Sequence, residues 1–303
     1  MKRSAPLALA LILFSSSVGA TEPDGVEWSD GWHRVRLVET LDAVALGAGS
    51  FAINEWWDPP KHPNWTGGIL FDNWARREFV AHTPGLQSAA ATYSDDMMLA
   101  SIAAPFAIDV YLVTLGVHQN VDVSGQMLII NLQSLALTGF LSLFAEHAVA
   151  RQRPYVQDCG PDGHVRDAQG QLLLNSCSGP ADNQSFYSGH SAITATMAGL
   201  TCVHHQHLPL YGGGAADLFP CLVMISASVT TGIARLMADK HWASDVVLGW
   251  SIGTFSGYVL PSILHYGFGH GHAVGAIHVG ELSMLPAVQV YPRGAGLGMV
   301  GIF

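Results

Sequence analysis

The chain has 303 residues, 49% of them hydrophobic and only 12% charged, with 23 acidic against 13 basic side chains and a net charge of −10. That balance excludes nucleic acid as a partner, because gripping a polyphosphate takes clustered Lys and Arg. So few charges on so long a chain require either an extensive core or a surface that faces lipid.

The chain opens with Lys2-Arg3, an apolar run from Ala5 to Phe14 and the small residues Val18-Gly19-Ala20. This is the layout of a cleavable secretory signal, so residues 1–20 read as a signal peptide and the mature chain as starting near Thr21. An exported chain meets an oxidising compartment, and its four cysteines suit two disulfides. Sequence proximity suggests Cys159 with Cys177 and Cys202 with Cys221, with buried free thiols the alternative for the second pair.

Residues 21–94 read as an N-terminal region of one helix, about Leu37 to Asn54, followed by a loop rich in Pro and Gly. That loop carries a short amphipathic surface helix within Phe71–Phe79. From 95 to 270 long apolar segments recur: Met97 to Val117, Gln126 to Ala150, Gly189 to His204, Phe219 to Leu236 and Ser244 to His265. Their lengths predict helices, with Asp95 and Asp96 at a helix N-terminus and Pro154 stopping the third long segment. The economical fold is all-α, a six-helix bundle. Residues 271–303 form an extension whose runs Ala287 to Tyr291 and Leu297 to Phe303 read as a short β-hairpin.

Segments near twenty residues allow membrane spans. The connections His118 to Ser124 and His205 to Asp217 contain no Lys or Arg, however, where cytoplasmic loops of a spanning bundle should be basic. Asp109 also falls mid-segment, so the loop charges favour a periplasmic or membrane-surface protein over an integral one.

Three clusters carry chemistry: Arg153-Pro154, Ser188-Gly189-His190, and Arg235 followed by His241 and Asp245. Two arginines can fork onto a tetrahedral oxyanion, and a Ser-Gly turn opening a helix aims N–H groups at an anion. His241 and Asp245 are one helical turn apart, so the carboxylate is expected on one ring nitrogen, leaving the other free to attack.

In order and spacing these clusters resemble the type 2 phosphatidic acid phosphatase and vanadium haloperoxidase superfamily, over roughly residues 95 to 265. The resemblance implies a phosphohistidine nucleophile at His241 with Asp245 orienting it, and His190 as the acid that protonates the leaving oxygen. It implies phosphate-binding roles for Arg153, Arg235, Ser188 and Gly189, with no metal and no cofactor. The family's usual lysine is replaced here by Glu146, whose carboxylate would repel phosphate unless it turns onto Arg151 or Arg153. Tyr187 stands where the family usually has proline, and its phenol can donate to a substrate.

The expected activity is therefore an exported phosphatase, periplasmic or membrane-associated, acting on a phosphorylated small molecule or lipid. The alternatives are a vanadate-dependent haloperoxidase, with vanadate as its cofactor, and an impaired member that binds an anion or lipid without turnover. His204, His205 and His207, and likewise His265, His270 and His272, read as loop histidines rather than metal ligands. The tryptophans Trp28, Trp32, Trp56, Trp57, Trp65 and Trp74 suit packing or an interfacial belt.

Overall fold

The structure is a computed structural model that describes residues 25–166, 170, 172, 177, 179 and 181–267, and as backbone the strands Leu172–Ser176, Ile277–Val279, Leu282–Tyr291 and Gly294–Ile302. The signal at 1–20, with His270 and His272, lies outside the described residues. Six long helices make the bundle: α1 (Leu37–Trp56), α3 (Pro84–Ala104, continuing as a π-helix over Pro105–Val117), α4 (Val121–Val149), α5 (Gly189–His207), α6 (Ala215–Met237) and α7 (Ala243–Thr254, continuing in π turns to Tyr266). The short surface helix α2 covers Asp72–Phe79, as its amphipathic pattern predicts.

Local chemistry sets most helix ends. Thr83 accepts a hydrogen bond from the Leu86 N–H at 3.4 Å with Pro84 at the first helical position, and Asn120 caps α4 through Val123 N–H at 3.0 Å. The expected start of α3 near Asp95 is corrected to Pro84. The stretch from Leu86 to Ala91 is rich in Ala, whose helix propensity extends the helix back through residues that look like loop. Asp95 therefore lies inside α3. At Pro105, which has no N–H to give, the ladder slips into the wider π register.

Helix α5 is the axis of the bundle, and its contact with α7 is closer than ordinary side chains permit. A Cβ added at Gly249, Gly253 or Gly257 would lie 2.6 Å from Ser188 O, 2.2 Å from Ala192 O and 2.0 Å from Thr196 O, so this glycine stripe at every fourth residue lets the two backbones touch. The neighbouring seams are lined by small polar residues that bond across helices, such as Thr138 Oγ1 to Thr196 Oγ1 at 2.8 Å and Thr194 Oγ1 to Ser228 Oγ at 3.2 Å. The bundle's outer face is apolar: Leu99, Leu112 and Phe219 are 67%, 61% and 67% exposed. Four helical segments, Pro84–Val117, Val121–Val149, Ala215–Met237 and Ala243–Tyr266, are long and apolar enough to cross a membrane.

The turn before α4, which lacks Lys and Arg, has basic neighbours in the structure. Arg34 bonds Asp122 at 2.5 Å, so the basic residues preceding α1 stand at the same bundle end as the uncharged turn before α4. Arg34 and Arg36 thus supply basic residues at that end, each paired with a carboxylate, Asp122 and Glu39.

Both suggested disulfides are formed, Cys159–Cys177 and Cys202–Cys221, so the free-thiol alternative for the second pair is set aside. The first staples the loop that carries the antiparallel strands β1 (His164–Arg166) and β2 (Leu172–Ser176), and the second ties α5 to α6. At the C-terminus β4 (Leu282–Tyr291) and β5 (Gly294–Ile302) form the expected hairpin, with β3 (Ile277–Val279) added on the far edge of β4.

Candidate active site

At one end of the bundle α4 and α6 finish while α5 and α7 begin, which gathers all three chemical clusters. Helix α4 ends on Ala150 in a left-handed conformation (φ 50°) and releases Arg151 and Arg153 into this space. Ser188 caps α5, accepting from Ser191 N–H at 3.4 Å and Ser191 Oγ at 2.9 Å. The N–H groups of Gly189 and His190 at the helix start have no acceptor among the described residues, which leaves two donors and the positive helix end open to an anion.

His241 is buried, and its Nδ1 lies 2.7 Å from the Ser185 carbonyl, an arrangement in which Nδ1–H donates and Nε2 keeps its lone pair. Nε2 is 3.5 Å from Nη1 of Arg153. Arg153 is itself held by the carbonyls of Ala181 (2.8 Å from Nε) and Lys240 (2.9 Å from Nη1). Burial, then the charges of Arg153 and Arg235, hold the His241 imidazole well below its ordinary range and so unprotonated at neutral pH.

The expected contact between Asp245 and the His241 ring is not made. Asp245 is fully buried and is taken by Nη1 of Arg151, by Ser185 Oγ at 2.6 Å and by the Trp242 N–H at 3.0 Å. Ser185 therefore relays between them, its hydroxyl on the carboxylate and its carbonyl on the imidazole. Arg151, also fully buried, reaches Asp72 at 2.7 Å, Ser244 Oγ at 2.8 Å and Gly67 O at 3.1 Å, with its guanidinium 3.9 Å above the Trp65 ring. The motif carboxylate is thus bound into a buried Asp72–Arg151–Asp245 chain that fixes the turn before α7.

Arg235 projects from the last turn of α6, where its Nη1 meets Ser94 Oγ at 3.1 Å and Asp95 Oδ1 at 3.3 Å. Its Nε is buried with no hydrogen-bond partner among the described residues. The same Asp95 oxygen lies 2.7 Å from Nε2 of His190. Burial first, then the charge of Arg235, depresses His190 to about 4, while the hydrogen bond to Asp95 works the other way. Lys240, beside His241, is lowered to about 8 by burial and then by Arg153 and Arg235.

Glu146 faces this pocket from α4, and it does not turn onto Arg151. It makes no hydrogen bond or ion pair among the described residues, and a Cβ on Gly189 would sit 3.6 Å from its Oε1. The phenol of Tyr187 is also buried without a hydrogen-bond partner. The structure therefore brings Arg153, Arg235, His190, His241, Ser188, Gly189 and Glu146 to one end of the bundle, with Asp245 behind them.

Residues 127–268 match the family model of the PAP2 superfamily. That segment, a little under half of the chain, is similar to the PAP2 superfamily. No solved structure matches the chain. The matched segment contains every residue of the three clusters, whereas Asp72, Ser94 and Asp95 reach the site from outside it.

Sequence reasoning missed Arg151, Ser185, Asp72 and Asp95. Arg151 and Ser185 each stand within three residues of a cluster and had a positional signal; Asp72 and Asp95 are distant and had none. The histidines set aside as metal ligands are packing residues of the opposite end, His204 between Tyr266 Oη (2.7 Å) and Asn131 Oδ1 (2.8 Å), and His205 2.6 Å from Asp217. Among the described residues no group of three or more His, Cys, Asp or Glu is placed to hold a metal ion.

Proposed function

We propose that this protein is an exported, membrane-associated phosphatase that hydrolyses a phosphate monoester, on a lipid or a related small molecule, through a phosphohistidine at His241. The observation that carries the reading is the orientation of His241. With Nδ1–H spent on the Ser185 carbonyl, the unprotonated Nε2 points to the space bounded by Arg153. A phosphoryl group there would take donors from Arg153, from the unpartnered Nε of Arg235 and from the Gly189 and His190 N–H groups. Nε2 bonds phosphorus as the ester P–O bond breaks, and the departing oxygen takes its proton from His190; water then attacks the phosphohistidine and releases phosphate. Asp245 acts at one remove, by holding Ser185.

Apolar outer faces on four long helices favour a substrate that arrives from a bilayer, and two disulfides favour an oxidising compartment. The residues present suit vanadate poorly as a resident cofactor, because Glu146 offsets one of the two arginines that would have to hold a permanent anion. His241→Ala should abolish phosphate release from phosphatidate and from an aryl phosphate ester alike. Full activity in that variant would sink the assignment of the nucleophile.

A further inference from the structure

The pocket contains a carboxylate that neither the proposed catalysis nor the fold uses. Glu146 makes no hydrogen bond or ion pair among the described residues, and it feels Arg153 and Arg235 through space while their nearer partners are other groups. Arg151 is taken by Asp72 and Asp245, Nε and Nη1 of Arg153 by the Ala181 and Lys240 carbonyls, and Nη1 of Arg235 by Ser94 and Asp95. Glu146 instead stays beside the open end of α5, where a Cβ on Gly189 would meet its Oε1 at 3.6 Å. The phenol of Tyr187, without a hydrogen-bond partner among the described residues, lies near enough to feel the Glu146 charge, and burial first and that charge second keep it protonated far above its ordinary range.

An incoming phosphoryl group would therefore meet donors from Arg153, Arg235 and the Gly189 and His190 N–H groups, with the Glu146 carboxylate beside them. A fully ionised phosphate would set an oxyanion against Glu146. A phosphate that keeps one proton would set a P–O–H there, and that group is what a carboxylate accepts.

The geometry points to Glu146 as a specificity-determining residue that makes the pocket take its phosphoryl group as the singly protonated monoanion, with the P–O–H proton shared with the carboxylate. This rests on the phosphatase reading above. The groups facing that proton are Arg153 and Arg235, Asp245 and Asp95, the imidazoles of His190 and His241, Lys240, and the Tyr187 phenol. All of them remain in a Glu146→Gln variant, so the difference between variant and wild type isolates the carboxylate. His190 and Lys240 are present in both proteins.

The test is calorimetric binding of inorganic phosphate to the purified full chain in detergent, across pH 6 to 9 and in buffers of different ionisation enthalpy. Above the second ionisation of phosphate, wild-type affinity should fall about tenfold more per pH unit than that of Glu146→Gln, with about one additional proton taken up on binding. Glu146→Lys should bind more tightly than wild type at high pH and show the shallow slope of the glutamine variant. Equal slopes and equal proton uptake in wild type and Glu146→Gln would overturn the inference and leave the phosphatase reading standing. Absence of phosphate binding in all three proteins would overturn both.

Discussion

His241 lies at one end of the bundle beside Arg153 and within the field of Arg235, while His205 at the other end is 2.6 Å from Asp217 and 3.4 Å from Asp109. Both are buried imidazoles near carboxylates, yet their surroundings differ in charge. Around His205, Tyr211 Oη donates to Asp109 at 2.9 Å, while Tyr211 N–H and Gly213 N–H close on Asp217. Around His241, the Nε of Arg235 and the Tyr187 phenol have no hydrogen-bond partner among the described residues, as His205 Nε2, Asn131 Nδ2 and His265 Nε2 have none at the other end. His241 lies in the field of two arginines beside the start of α5, whereas His205 lies between two carboxylates. On the proposed function, the first end holds an anion and the second holds the helices together.

That contrast can be broken most severely at Arg151. Arg151→Ala leaves Asp72 and Asp245 as buried, unpaired charges and should cost about 3–5 kcal/mol of stability. It should also release Ser185 and with it the His241 ring, so folded protein rescued at low temperature should still be inactive. Thermal unfolding in detergent with a parallel phosphatase assay reads both effects. A variant of wild-type stability would mean the Asp72–Arg151–Asp245 chain is not the support described.

Gly253→Ala should come next, at roughly 2–4 kcal/mol, because its Cβ would fall 2.2 Å from the Ala192 carbonyl and force α5 and α7 apart. Since α5 carries His190 and α7 follows His241, kcat should drop in whatever protein remains folded. His205→Ala should cost about 2–3 kcal/mol by stranding Asp109 and Asp217, but kcat of the folded fraction should be unchanged. Loss of kcat with an intact melting curve would show that the second end takes part in the chemistry and that the contrast is wrong.

The mildest change is Asp95→Asn, which should leave stability within about 0.5 kcal/mol of wild type because Asp95 is an exposed side chain. Its effect is on protons. His190 sits at about 4 in the free protein, so the form that can protonate a leaving group is scarce at neutral pH, and kcat/KM should fall as pH rises. Asp95 raises the His190 value, so its removal should move that limb to lower pH and reduce kcat/KM about tenfold at pH 7. An unshifted limb would show that His190 is not the group that titrates.

The helices were legible because each is a long apolar segment, and the three clusters because their residues are close in sequence. The start of α3 was not, since an Ala-rich stretch of high helix propensity lies before the apolar run that drew attention. The glycine stripe at 249, 253 and 257 was readable in principle as small residues four apart. Its meaning depended on which helix it faced, and that is a tertiary fact. Within the site, the pairing of Asp245 with Arg151 instead of His241 could not be read from a one-turn spacing. Helical proximity permits the carboxylate–imidazole contact, but a fully buried guanidinium is the stronger claimant on the carboxylate. Asp72 and Asp95 reach the site from helices with no motif of their own, so only the fold could bring them there.

The central claim is that His241 Nε2 forms a bond to phosphorus. Brief turnover of a phosphorus-labelled monoester by the full chain, quenched in alkali where phosphohistidine survives, followed by peptide mapping, tests this directly. The label should lie on the peptide containing His241 and be absent from His241→Ala. Turnover without label on that peptide, or label that persists in the alanine variant, would contradict the account.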